Sequence, residues 1–158
     1  MNHFEQVISL LIEKNIEYQE FDHPKFSSTE EAMSFVEGVT VNNALKSLLF
    51  KNHNMMILAV LPVSKKLNKQ ALLDALGLEG KLSMATPEEV LQSTFTVVGT
   101  VSPFSMFYEQ VVTVFDESVA QIDWCYITPG SFEKTVSLKA SDLITLIQPN
   151  IQNIIITE

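Results

Sequence analysis

The chain contains no arginine, and its 10 lysines face 19 aspartates and glutamates, for a net charge of −9 at pH 7. Affinity for nucleic acid rests largely on neutralising phosphates with Lys and Arg. A protein of this composition should therefore not grip a long backbone, although it can receive a single 3′ end where a few lysines gather. The one cysteine, Cys125, excludes an internal disulfide. It sits in the strand-like Trp124-Cys125-Tyr126-Ile127 and reads as a small buried apolar residue. Gly and Pro are scarce, 5 and 6 of 158 residues, while 46% are hydrophobic, which excludes disorder and fibrous repeats. No apolar run is long enough to span a bilayer, and Met1-Asn2-His3-Phe4-Glu5 lacks the basic start of a signal peptide. The expectation is a cytoplasmic protein with no membrane contact. No Gly-x-Ser-x-Gly elbow, His-Glu-x-x-His, cysteine pair or Walker loop is present. Neither a metal nor a cofactor is expected.

What is present alternates between helical and strand periodicities along one domain, 1–158, with an apolar tail over 150–158. Residues 3–14 carry Phe4, Val7, Ile8 and Leu11 at helical spacing, and Ile16-Glu17-Tyr18-Gln19 alternates like a strand. Ser28-Thr29-Glu30-Glu31 is a capping start for a helix that Gly38 ends. A third helix runs from about Asn68 to Gly77, and Thr86-Pro87-Glu88-Glu89 caps a fourth. Strands follow near 111–115, 123–128 and 135–138, then a last helix that Lys139 or Ser141 opens and Pro149 ends. Hairpins mixed with helices give an α+β class.

Two features carry chemistry. Lys46 lies inside the apolar strand Ala44-Leu45-Lys46-Ser47-Leu48-Leu49-Phe50, paired through a turn at Lys51-Asn52-His53-Asn54 with Met55 to Leu61. Burying an unpaired ammonium is costly, so Lys46 either snorkels to an edge or faces a cleft; Lys51, at the turn, is plain surface. The second feature is Val98-Gly99-Thr100-Val101-Ser102-Pro103-Phe104. Gly99 and Pro103 shape a loop that either connects tightly into the next strand or points consecutive N–H groups one way, as an oxyanion nest does. Of the histidines, His3 and His53 are expected at the surface, and His23 is either structural or at a cleft border. Lys65, Lys66 and Lys69 cluster in sequence, either as a solvated helix start or, with Lys46 and Lys81 nearby, as a tRNA contact.

Ordered blocks covering nearly the whole chain resemble the YbaK/prolyl-tRNA-synthetase-associated editing domain. They are Phe21-Asp22-His23-Pro24 with Thr29-Glu30-Glu31-Ala32, Leu45-Lys46-Ser47-Leu48, Lys81 to Val90, Gly99 to Phe104, and Ile127-Thr128-Pro129-Gly130 with Thr135-Val136-Ser137-Leu138. The resemblance implies a mixed, strongly curved, partly barrel-like sheet surrounded by helices, with a cleft between the Lys46 strand and the Gly99–Pro103 loop. It implies an aminoacyl-tRNA deacylase with no metal and no covalent nucleophile, in which Lys46 and Gly99 are catalytic. Substrate would be bound by His23, Thr29, Thr100, Val101, Ser102, Pro103, Thr128, Pro129 and Thr135. Some relatives carry Ser-Gly-Gly followed by an acidic residue where this chain has Thr128-Pro129-Gly130 and Thr135. Members that edit alanyl-tRNA look like His-Pro, then Thr, so Pro129 and Thr135 match them and Thr128 departs. A small amino acid is the expected cargo. The expected partners are the 3′ aminoacyl end of tRNA, held weakly, and an aminoacyl-tRNA synthetase. Two other readings stand beside this one: a regulatory binding module of the same fold without catalysis, and an esterase acting on a small metabolite.

Overall fold

A computed structural model describes residues 1–157 as five α-helices, two short 3₁₀ helices and eight strands, the strands arranged in two sheets. Helix α1 (His3–Glu13) begins at Asn2, whose side chain accepts from the Glu5 N–H while the Glu5 carboxylate takes the Asn2 N–H. Asn15 closes it in the left-handed region at φ 56°, and the Ile16 N–H returns to the Leu11 carbonyl at 2.9 Å. That closing turn consumes Ile16, so the expected strand over 16–19 starts later, as β1 (Tyr18–Asp22). Helix α2 (Thr29–Phe35) is capped by the Ser28 side chain on the Glu31 N–H. The long hairpin of β2 (Leu45–Asn52) and β3 (Met55–Pro62) turns at His53, φ 53°. Helix α3 (Lys69–Ala75), capped by Asn68, and the short β4 (Ser83–Met84) follow. Helix α4 (Pro87–Thr94) carries the Thr86–Glu89 capping box with Pro87 in its first turn. Then come β5 (Val111–Asp116), β6 (Trp124–Ile127), β7 (Lys134–Lys139), α5 (Ala140–Ile147) and β8 (Asn150–Gln152).

The fold is α+β, but one strongly curved, barrel-like sheet is not what forms. Strands β1-β7-β6 make an antiparallel three-stranded sheet, and β4-β2-β3-β5-β8 a mixed five-stranded one. Among the described residues their backbones meet at the isolated parallel bridge between Ala44 and Tyr126, where the Tyr126 N–H donates to the Asn43 carbonyl at 3.0 Å. Strand β2 therefore begins beside β6, and its first residues have no β4 neighbour, since β4 pairs only with Phe50 and Lys51. The gap left there becomes the cleft. The main core packs Leu45, Leu49, Leu58, Val60 and Phe115 with Val7, Leu11, Val136, Leu138 and Leu143, while Ala32, Val36, Val39 and Ala44 form a separate cluster beneath α2. The tail over 150–157 is stitched down: β8 pairs with β5, and the Ile154 N–H donates to the buried Asp116 carboxylate at 2.9 Å. Residue 158 of the expected tail lies outside the described residues. No described helix is long and apolar enough to cross a membrane.

Candidate active site

The cleft at the sheet junction holds about 400 Å³. Its walls come from four places: the start of β2 with Lys46, the first turn of α2 with Thr29, the Gly99–Pro103 loop, and the end of β6 with Thr128. One end is apolar, made by Ala32, Val36, Val39, Ala44 and Val63. Lys46, Gly99, Val101, Thr29, Thr128 and Thr135, which the sequence places far apart, all line this one cavity. Lys46 is half-buried, and burial pushes its ammonium below the ordinary lysine pKa, with the nearby Lys66 charge pushing the same way.

The loop is held by its neighbours rather than by its own residues alone. The Thr100 N–H and hydroxyl return to the Val97 carbonyl, at 2.9 and 2.6 Å. The Gly130 N–H donates to the Thr100 carbonyl at 2.9 Å, and the Ser102 N–H to the Tyr108 hydroxyl at 2.9 Å. The N–H groups of Gly99 and Val101 donate to no acceptor among the described residues. Both residues line the cleft, which leaves two backbone donors without a protein acceptor in its wall. Gly99 adopts φ +92°, and a Cβ there would stand 3.2 Å from the Phe132 ring. Position 99 is closed to side chains by backbone angle and by the loop's outer neighbour, not by the cleft.

Ser102, Thr100, Pro103 and Pro129 are buried and lie outside the cleft lining; they brace the loop from behind. His23 is buried, with Nδ1 3.0 Å from the Pro24 carbonyl and Nε2 2.8 Å from Thr135 Oγ1. A carbonyl can only accept, so Nδ1 carries the proton and Nε2 accepts from the Thr135 hydroxyl. Thr135 is thereby left offering lone pairs alone. Lys65 and Lys66 lie together at the surface near the tail, and Lys69 is exposed on α3. Lys81 does not join them. Its carbonyl accepts from Asn52 Nδ2 at 3.0 Å, at the hairpin end of β2, six residues and about 20 Å of strand beyond Lys46. Lys51 is exposed, as expected, and pairs at the surface with Glu89 at 2.7 Å.

His3 is the largest departure from the sequence reading. Expected at the surface, it is 6% exposed, stacked on Tyr108, with Nε2 2.5 Å from Ser102 Oγ. Burial pushes its pKa down to about 4 and that of Tyr108 up to about 12. A signal for this exists: His3, Val7 and Leu11 lie four residues apart on the buried stripe of α1. Among the described residues, no group of three or more His, Cys, Asp and Glu could hold a metal ion. Cys125 is a free, buried thiol whose pKa burial raises to about 12, too high for a nucleophile.

Residues 23–146 match the profile of the aminoacyl-tRNA editing domain. The chain is 27% identical over 154 residues to the multifunctional Ser/Thr-tRNA deacylase ProXp-y of Escherichia coli K12, covering 94% of this chain and 90% of that one. It is also 27% identical to the proline–tRNA ligase of Thermosipho melanesiensis over 106 residues, 61% of this chain and 18% of that enzyme. A solved structure described as a candidate trans-editing enzyme for prolyl-tRNA synthetase superposes with a TM-score of 0.83 at 20% identity, covering 99% of both chains.

Proposed function

Because the chain belongs to the aminoacyl-tRNA editing domain family, we propose that it is a trans-acting deacylase, hydrolysing the ester that joins a small amino acid to a mischarged tRNA. The observation that carries this reading is that Lys46, Gly99 and Val101 line one cleft, with the Gly99 and Val101 N–H groups unclaimed by any acceptor among the described residues. An aminoacyl ester is activated already, so positioning and oxyanion stabilisation suffice. Water adds to the carbonyl carbon, and negative charge grows on the carbonyl oxygen toward the two N–H donors and Lys46. The bond to the ribose oxygen then breaks, the water's proton passing to that oxygen, and free amino acid and uncharged tRNA leave. The substrate's own 2′-hydroxyl or α-amino group holds the water. Thr135, with lone pairs to offer, accepts from the α-ammonium. The apolar end bounded by Ala32, Val36, Val39 and Ala44 limits the side chain to a small one. The likeness to a Ser/Thr-tRNA deacylase supports the same range.

With no arginine and a net charge of −9, tRNA binding is weak, rests on Lys65, Lys66 and Lys69, and is helped by a synthetase that delivers the substrate in the cytoplasm. The test is a panel of mischarged tRNAs incubated with the purified protein. Faster loss of seryl, threonyl, alanyl or cysteinyl ester than in buffer is the expected result. Equal rates across the panel would leave a binding module, and turnover of free aminoacyl esters alone would indicate a metabolite esterase.

A further inference from the structure

The Lys46 cleft has a side arm to which the deacylase reading assigns no occupant. A second cavity of about 300 Å³ shares Phe26, Ser27, Gly99 and Thr128 with the cleft, and is lined also by Lys25 and Phe132. Lys25 Nζ stands 4.2 Å from the centroid of the Phe132 ring. The same ring packs against Gly99, from which a Cβ would be 3.2 Å away. Phe132 thus touches the loop that faces the ester and also carries a cation. The other lysine of this arm, Lys134, is taken by Asp22 and Glu20. Lys25 is exposed and makes no ion pair among the described residues.

We propose that this arm binds the terminal nucleoside of the tRNA, its base stacked on Phe132 and its 5′-phosphate met by Lys25. The inference rests on the deacylase reading and adds the direction in which the substrate lies. An ester joins two halves, and Gly99 lines both cavities; with the carbonyl at Gly99, the aminoacyl half fills the Lys46 cleft and the ribose and base enter the arm. Every base has a π-face, so an aromatic platform beside a cation takes a nucleotide without reading its sequence. Lys25 rests on the ring by cation–π attraction. In a chain of net charge −9, a lysine parked on a ring instead of a carboxylate keeps its charge available to a phosphate.

Binding is measured with non-hydrolysable probes: the serine amide of 3′-amino-3′-deoxyadenosine, its 5′-phosphate, and serinamide, which lacks the nucleoside. Phe132→Ala should weaken the nucleoside probe by about 5- to 150-fold, the worth of one base–aromatic stack. Phe132→Tyr should restore it, and Lys25→Gln should abolish the advantage of the 5′-phosphate. A Kd for the nucleoside probe within twofold of wild type in Phe132→Ala would overturn the proposal, as would a nucleoside probe that binds no better than serinamide. Should Phe132→Ala fail to fold, Lys25→Gln decides, since an unchanged 5′-phosphate advantage also overturns it. The two readings fail separately. Phe132-dependent probe binding without any tRNA hydrolysis would sink deacylation and keep the subsite. Hydrolysis of aminoacyl-tRNA with an unaltered KM in Phe132→Ala would do the reverse.

Discussion

His3 Nε2 stands 2.5 Å from Ser102 Oγ and ties the first turn of α1 to the loop that carries Gly99. Ser102 passes the restraint on, accepting the Phe104 N–H at 3.1 Å and contacting the Tyr108 hydroxyl at 3.1 Å. The loop that carries Gly99 and Val101 is thus braced by a residue at the other end of the sequence.

Acid should loosen this tie. His3 Nδ1 is buried without a partner, so a second ring proton would bring an unsatisfied N–H and a charge into the core, beside a helix N-terminus. The folded pKa of about 4 lies below the ordinary histidine value of 6.5, so the unfolded chain binds the extra proton first. Stability from this residue is therefore present above pH 6.5 and is lost as pH falls toward 4. The full effect approaches about 3 kcal/mol. Thermal melts at pH 7, 6 and 5 should show Tm falling, with a shallower fall in His3→Gln. Parallel curves for the two proteins would show that other groups set the acid limit.

The Lys66 charge is expected to bear on the titration of Lys46. Burial, then the Lys66 charge, lowers the Lys46 pKa, so its ammonium is lost at a pH below that of an ordinary lysine. Lys66→Ala removes one cause and should move the Lys46 titration upward, while Lys65→Ala should move it less. NMR of lysine side chains labelled at Cε follows this directly. A Lys46 titration unmoved by Lys66→Ala would place the two charges too far apart to cooperate at a tRNA end.

What could be read in the sequence was local or face-defining. The caps Ser28, Asn68 and Thr86 work over three residues, and the structure shows each accepting the N–H three positions on. Lys46 was legible because an ammonium inside an apolar strand demands a wet face. The division of strands into two sheets was not, because it depends on which distant edges meet, here at the Ala44–Tyr126 bridge. Lys81 misled for the same reason: strand direction carries it to the far end of β2, about 20 Å away. His3 needed only the α1 stripe extended one turn backward through Val7.

Gly99→Ala should lower both activity and stability. Its φ of +92° disfavours any Cβ, and the one added would meet the Phe132 ring at 3.2 Å. Holding a non-glycine residue at such an angle costs about 1–3 kcal/mol, or the loop shifts and the Gly99 and Val101 N–H groups turn from the carbonyl. A lower kcat with a lower Tm is expected. Wild-type kcat in a stably folded Gly99→Ala protein would show that the loop supplies no oxyanion donor.

Lys46 and Lys51 share one strand and separate catalysis from structure. Lys46→Ala removes a half-buried ammonium from the cleft; if it stabilises the oxyanion, deacylation should fall by about 10²–10³, as for the loss of one such donor. Its Tm should hold or rise, because an ammonium near Leu48 is a cost that alanine lifts. Lys51→Ala breaks the exposed ion pair with Glu89, whose pKa that contact and the Thr86 cap hold down to about 2. It should cost a little stability near α4 and leave kcat alone, since Lys51 lies outside the cleft lining. Single-turnover deacylation and thermal melts of the two variants, side by side, decide the matter. Equal losses of rate in both would remove Lys46 from the chemistry.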